Sequence, residues 1–163
     1  LHNKKLMRNI IIKYSLVFLF IVLSSCGFKV LDNLESNFSI REINTSGDKR
    51  INFKIKNDLI IEDSNNSTNN LVVTLSTKKT KRIKEKNIKN EINKYEISII
   101  CSIELTFLEK STKHKFTVSS NGDYLAADKY STTIQNEKRL IDDLTNDLSD
   151  KIRNKINLIT NDL

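Results

Sequence analysis

The chain has 163 residues, a formal charge of +7 and an isoelectric point near 9.4, with 38% hydrophobic residues, two cysteines, no proline and no tryptophan. The charge alone is a poor argument for nucleic-acid binding. Setting aside Lys4, Lys5, Arg8 and Lys13, which precede an apolar run, the 27 basic residues fall to 23 against 20 acidic ones, and a nucleic-acid partner is not expected.

The apolar run is Tyr14-Ser15-Leu16-Val17-Phe18-Leu19-Phe20-Ile21-Val22-Leu23, and it stops at Ser24-Ser25-Cys26. A basic lead, about ten apolar residues and a small-residue exit make the pattern of an export signal. The run falls short of the roughly 20 apolar residues a membrane-spanning helix needs. Leu23-Ser24-Ser25-Cys26 resembles the lipobox of bacterial lipoproteins, in which the cysteine thiol takes a diacylglyceryl group before cleavage. Residues 1–25 are therefore expected to be a lipoprotein signal peptide, with Met7 opening its compact form. Cys26 is the expected lipidation site, and residues 26–37 a polar tether. Lipid on Cys26 would leave Cys101 unpaired; in an apolar strand register it reads as a small buried hydrophobe.

The remainder, 38–163, is one domain's worth of chain. Phe38–Ile43 starts as a strand and runs into a turn-like stretch, Asn44–Asp48. The next segment is ambiguous: Ile51, Phe53 and Ile55 alternate like a strand, while Ile51, Ile55 and Leu59 lie at helical spacing, with Ser46 or Asp48 as candidate caps. Asp63–Asn70 is a loop by composition. Leu71, Val73 and Leu75 share one face of a second strand, followed by a basic stretch to Lys94 that reads as an arm connecting two strands.

Tyr95, Ile97, Ile99, Cys101, Ile103, Leu105 and Phe107 then occupy consecutive alternate positions, with a mostly polar face between them. This is the pattern of a long antiparallel strand, one face buried and one wet. Ser111–His114 should turn the chain, with His114 a solvated turn residue. Phe116 and Val118 continue a fourth strand towards Gly122. From Ser131, a plausible cap, the period changes: Ile134, Ile141, Leu144, Leu148, Ile152, Ile156 and Ile159 form one stripe of a long amphipathic helix. The expected architecture is α+β: a two-layer sandwich of about four mostly antiparallel strands with helix packed on one face.

Signs of catalysis are weak, and the chain is not expected to be an enzyme. His114 has no partner in the sequence to make it a general base. Asp142, Asp143, Asp147 and Asp150 fall on the wet side of the last helix and read as solvated charge. Phosphate-binding glycine loops and paired-cysteine motifs are absent, so neither metal nor cofactor is expected. One cluster stands out: eight basic residues from Lys78 to Lys94, against only Glu85 and Glu91. It is either a solubilising, edge-protecting charge run or a site for a polyanion, which in the periplasm would be a phosphorylated lipid. Lys81, Arg82, Lys84 and Lys86 are its candidate binding residues, with Lys113 and Lys129 secondary.

Cys26-Gly27-Phe28 after the lipobox, a short strand, a small helix, the long strand with Tyr95-Glu96-Ile97-Ser98-Ile99 and a closing helix carrying Asn136-Glu137-Lys138-Arg139 together resemble the LPS-assembly lipoprotein family LptE, also called RlpB. The chain departs from many members in having Lys29-Val30-Leu31 after Cys-Gly-Phe. The resemblance implies that 48–60 is a first helix, packed beside the second on a four-stranded sheet. It also implies a function without catalysis: an outer-membrane lipoprotein on the periplasmic face that assists and plugs an LptD-like β-barrel and binds lipopolysaccharide during its delivery. The alternatives are an unrelated envelope lipoprotein whose small domain binds another ligand or protein and, more remotely, a hydrolase.

Overall fold

A computed structural model describes residues 38–61 and 70–162. Cys26, the signal, the tether and most of the 63–70 loop lie outside the described residues. Six elements follow in order: β1 Ser39–Gly47, α1 Lys49–Ile61, β2 Asn70–Lys86, β3 Ile92–Phe107, β4 Thr112–Leu125 and α2 Tyr130–Asn161. The strands form one sheet in the order β1-β2-β3-β4. β1 runs parallel to β2, and the other two pairings are antiparallel. The fold is α+β, as expected.

The ambiguous segment is helical, and its start shows why. Gly47 ends β1 at φ +95°, where a side chain would be strained. A Cβ there would also stand 1.9 Å from the Thr77 carbonyl oxygen. Asp48 then caps α1, its Oδ1 accepting from the amides of Arg50 (3.1 Å) and Ile51 (3.2 Å). The joint is pinned to β2: the Asp48 amide donates to Thr77 Oγ1 at 3.1 Å, and Thr77 Oγ1 donates to Asn52 Oδ1 at 2.8 Å. With that phase set, Ile51, Ile55 and Leu59 are buried and Phe53 is left 67% exposed.

One face of the sheet is sealed. Ile97, Ile99, Cys101, Ile103, Leu105 and Phe107 of β3 and Leu71, Val73 and Leu75 of β2 meet the α1 stripe and Ile141, Leu144, Leu148, Ile152 and Ile156 of α2. Tyr95, Phe116, Val118 and Ile159 pack at the margin of this core. α2 lies chiefly over β4, and at Gly122 the two come close, since a Cβ there would stand 2.8 Å from Leu140 Cδ1.

Several sequence expectations are corrected. β1 continues through the stretch read as a turn, because parallel pairing with β2 as far as Gly47↔Thr77 satisfies its backbone. The basic stretch is not a connection: β2 extends to Lys86, held by the ladder to β3. His114 is a half-buried strand residue whose ring meets Phe107 edge-on at 5.5 Å, because the turn ends at Ser111. Ser131 does not cap α2. Lys129 holds the N-cap position without a side-chain bond, and Ser131 sits inside the first turn. Thr133 ties the preceding loop down instead, accepting from the Ala127 amide at 2.9 Å.

Candidate functional site: the basic hairpin and the open sheet face

Beyond Thr77, every residue of β2 from Lys78 to Lys86 is exposed, yet the strand persists. Its backbone is paired residue for residue with β3 from Lys78↔Ile100 to Ile83↔Tyr95, so the charged side chains need only point alternately to the two sides of the ribbon. This alternation separates the candidate binding residues.

Lys81 faces the helix side. Its ammonium lies 2.7 Å from Glu137 Oε2 and 4.4 Å above the centre of the Tyr95 ring. Tyr95 and Tyr124 stack at 5.4 Å, and the Tyr124 hydroxyl donates to Glu137 at 2.9 Å. Partial burial works against the Lys81 charge, but the bonds to Glu137 and Tyr124 outweigh it and push its pKa up to about 12. Burial likewise opposes ionisation of Glu137, and Lys81 and Tyr124 overcome it to hold its pKa low. Lys81 is thus a structural cation that closes the end of the core.

Arg82 and Lys84 face the opposite, open side of the sheet. Arg82 Nη2 and Nε converge on Glu96 Oε1 at 2.8 and 3.0 Å, and Lys84 reaches Asp123 Oδ1 at 2.7 Å. The Lys84 bond holds the Asp123 pKa below its usual value. Lys86 sits near the hairpin end and donates to Asn90 Oδ1 at 2.9 Å. Of the four candidates, then, two share a face, one lies at the tip and one points away, and their internal acids compete with any phosphate.

The rest of the open face matches this pairing. At its far end Lys115 and Lys113 both reach Glu104, each at 2.9 Å, and hold its pKa low. Between the two charged ends stand Thr80, Ser98, Ser102, Thr117 and the exposed Lys78, with Ile100 as an apolar exception, 42% exposed. The face has a shallow hollow of about 430 Å³ beside Ser102, Glu104 and Lys115. No described element covers it.

The other candidates disperse. Lys113 belongs to the Glu104 cluster and Lys129 to the start of α2. The aspartates of α2 form no common site: Asp142 pairs with Arg50, Asp147 with Lys151 and Ser120, and Asp150 with Arg153. Cys101 is fully buried, and burial pushes its thiol up to about 11. No group of metal-ligating side chains occurs among the described residues. No described helix is long and apolar enough to cross a membrane. The acids that neutralise the arm, Glu96, Asp123 and Glu137, escaped sequence reading. A signal for one of them existed: a turn centred on Lys89 sets Glu96 opposite Arg82.

No family model matches the chain, and no curated protein does. Solved structures do match. Uncharacterized lipoprotein B from Nitrosomonas europaea superposes with a TM-score of 0.59 at 11% identity, over 83% of this chain and 93% of that one. A protein of Caulobacter crescentus CB15 described as a candidate lipoprotein gives 0.52 at 14% identity, over 72% and 89%. The chain therefore shares its α+β fold with proteins described as bacterial lipoproteins. Rare lipoprotein B from Shewanella oneidensis is also similar, with 15% identity, but at a TM-score of 0.46 that fit is too loose to build on.

Proposed function

We propose that the chain is an envelope lipoprotein of the LptE kind, without catalytic activity, anchored through lipid on Cys26 at the periplasmic face of the outer membrane. Its domain would plug and assist an LptD-like β-barrel and bind lipopolysaccharide in transit. The observation that carries this reading is the open sheet face. Helices seal one side of the sheet, and the other offers hydroxyls and charges, of which Arg82, Lys84, Lys113 and Lys115 are already paired within the chain. Burying unpaired charge in an interface is costly, whereas charges with their partners in place can meet a polar barrel lumen at lower cost. The lipobox supports the anchor, and the fold shared with the Nitrosomonas lipoprotein B supports the class.

Lipopolysaccharide binding falls to Arg82, Lys84 and Lys86, whose phosphate contacts would exchange with Glu96, Asp123 and Asn90. Lys81 supports the fold instead. Photo-crosslinkers at Ser98, Ser102 and Thr117, with one at exposed Asn154 on α2 as reference, test the partner. Adducts from the sheet positions to one outer-membrane barrel are expected. Adducts from Asn154 alone, or none from the sheet, would sink the plug reading. Cys26→Ser should abolish lipid labelling and leave unprocessed precursor; normal labelling of that variant would end the lipoprotein reading.

A further inference from the structure

We infer that the tip of the β2–β3 hairpin is a membrane-docking element, with Ile88 entering the headgroup region of an anionic bilayer between Lys86 and Lys89. The turn is built to hold Ile88 out. Asn87 Oδ1 accepts from the amides of Lys89 and Glu91, both at 2.9 Å. The Asn87 amide donates to the Glu91 carbonyl and the Asn90 amide to the Asn87 carbonyl, also at 2.9 Å. Asn90 takes the left-handed conformation, φ 64°, that closes the loop. Locked in this way, Ile88 is 104% exposed, and no other large apolar side chain among the described residues is so fully presented to water. Ile83 and Leu125, 48% and 61% exposed, lie behind it on the same end of the sheet.

The charge around Ile88 is net positive. The Glu91 carboxylate accepts from Asn87 Nδ2 at 2.7 Å, and Glu85 pairs with Lys94 at 3.5 Å. Lys86 meets only the neutral Asn90 amide, and the Lys89 side chain has no partner among the described residues. The tip therefore offers one apolar side chain flanked by two cations, against the single carboxylate of Glu91, since Glu85 is paired with Lys94. This suits an anionic lipid surface, where the isoleucine leaves water and the lysines stay among the phosphates. The turn at 108–111 is different: Leu108 is only 49% exposed, and the residue directly after it is the acid Glu109 where Ile88 is followed by Lys89. The contact would be weak and would orient the domain, leaving the open sheet face for a partner.

The test uses the chain from residue 26 onward, made without residues 1–25 and with Cys26→Ser, so that neither the apolar signal nor a lipid anchor contributes and failure at the tip leaves the lipoprotein reading untouched. An environment-sensitive fluorophore is placed through Ile88→Cys, or through Leu108→Cys as reference; Cys101, buried with a raised pKa, does not compete for label. Vesicles containing phosphatidylglycerol should shift the probe at 88 to the blue, while phosphatidylcholine vesicles and inorganic phosphate should not. Lys86→Ser and Lys89→Ser should each weaken vesicle binding about five-fold, from the attraction of one lysine to an anionic surface. In the otherwise unlabelled chain, Ile88→Asp should abolish co-sedimentation with the anionic vesicles. No shift with anionic vesicles, an equal shift at 108, a shift with phosphate alone, or a shift only with an acidic protein partner would each overturn the inference.

Discussion

The two halves of β2 share one strand and one ladder but solve different problems. From Leu71 to Thr77, alternate side chains are fully buried beneath the helices; from Lys78 to Lys86 none is. The inner half is held by burial, the outer half by pairing with β3 and by ion pairs to residues far away in sequence, such as Lys81–Glu137 and Lys84–Asp123. A strand can therefore outrun its own hydrophobic pattern when its neighbour supplies the backbone partners. What it gains is a polar, charge-matched surface.

The contrast breaks most sharply in the sealed half. Ile99→Ala removes a fully buried side chain in the middle of β3 and should cost about 2–5 kcal/mol, read from urea unfolding. Ile88→Ala at the wet end should leave the midpoint unchanged. A similar loss from both would mean that burial does not divide the ribbon.

The joint between the halves comes next. Thr77→Val leaves Asn52 Oδ1 and the Asp48 amide without their partner and should cost about 1–3 kcal/mol. Gly47→Ala should cost more than about 1 kcal/mol, because it imposes a positive φ on a side chain as well as the clash at the Thr77 carbonyl. If either variant is neutral, α1 does not depend on that joint.

Acid should loosen the molecule at defined places. The Asp48 carboxyl is opposed by burial but held low by the Ile51 amide and Lys79, and Asp147 is held low by Lys151 and Ser120. Their folded pKa values lie below the unfolded ones. The stability they contribute is thus present above about pH 4 and lost as pH falls through the folded values. Thermal scans from pH 6 to pH 3 should show a falling midpoint, with the fall reduced in Asp48→Asn. A flat profile would contradict the assigned pairings.

This division also marks what could be read from the chain. The β3 alternation from Tyr95 to Phe107 and the α2 stripe are legible because burial leaves a period in the residue types. The outer half of β2 leaves none: with lysine, threonine and arginine at successive positions, both faces are polar and a strand looks like a linker. The first helix was undecidable until Gly47 and Asp48 set its phase, which left Phe53 outside. The candidate site was legible as charge and not as geometry. Lys81 and Arg82 are adjacent in sequence and yet lie on opposite sides of the ribbon.

That adjacent pair gives the smallest and most discriminating prediction. A bond between charged partners is worth about 1.5–3 kcal/mol when well shielded. Lys81 keeps 38% of its side-chain exposure and Glu137 20%, so solvent screening should reduce Lys81→Met to about 1 kcal/mol. Methionine keeps an apolar stem over the Tyr95 and Tyr124 rings, so the loss reports the charge rather than the packing. Arg82 is 74% exposed, and Arg82→Met should cost less than about 0.5 kcal/mol despite its two short contacts to Glu96. A double-mutant cycle of Lys81→Met with Glu137→Gln should show coupling, while the Arg82–Glu96 cycle should show almost none. Alkali separates them again. The Lys81 pKa is raised from 10.5 to about 12, so its contribution is complete below about pH 10.5 and fades as pH rises through 12. In lipopolysaccharide binding the ranking should reverse, with Arg82→Met weakening it and Lys81→Met sparing it. Equal effects of the two substitutions on both stability and binding would show that the faces of the hairpin are not specialised.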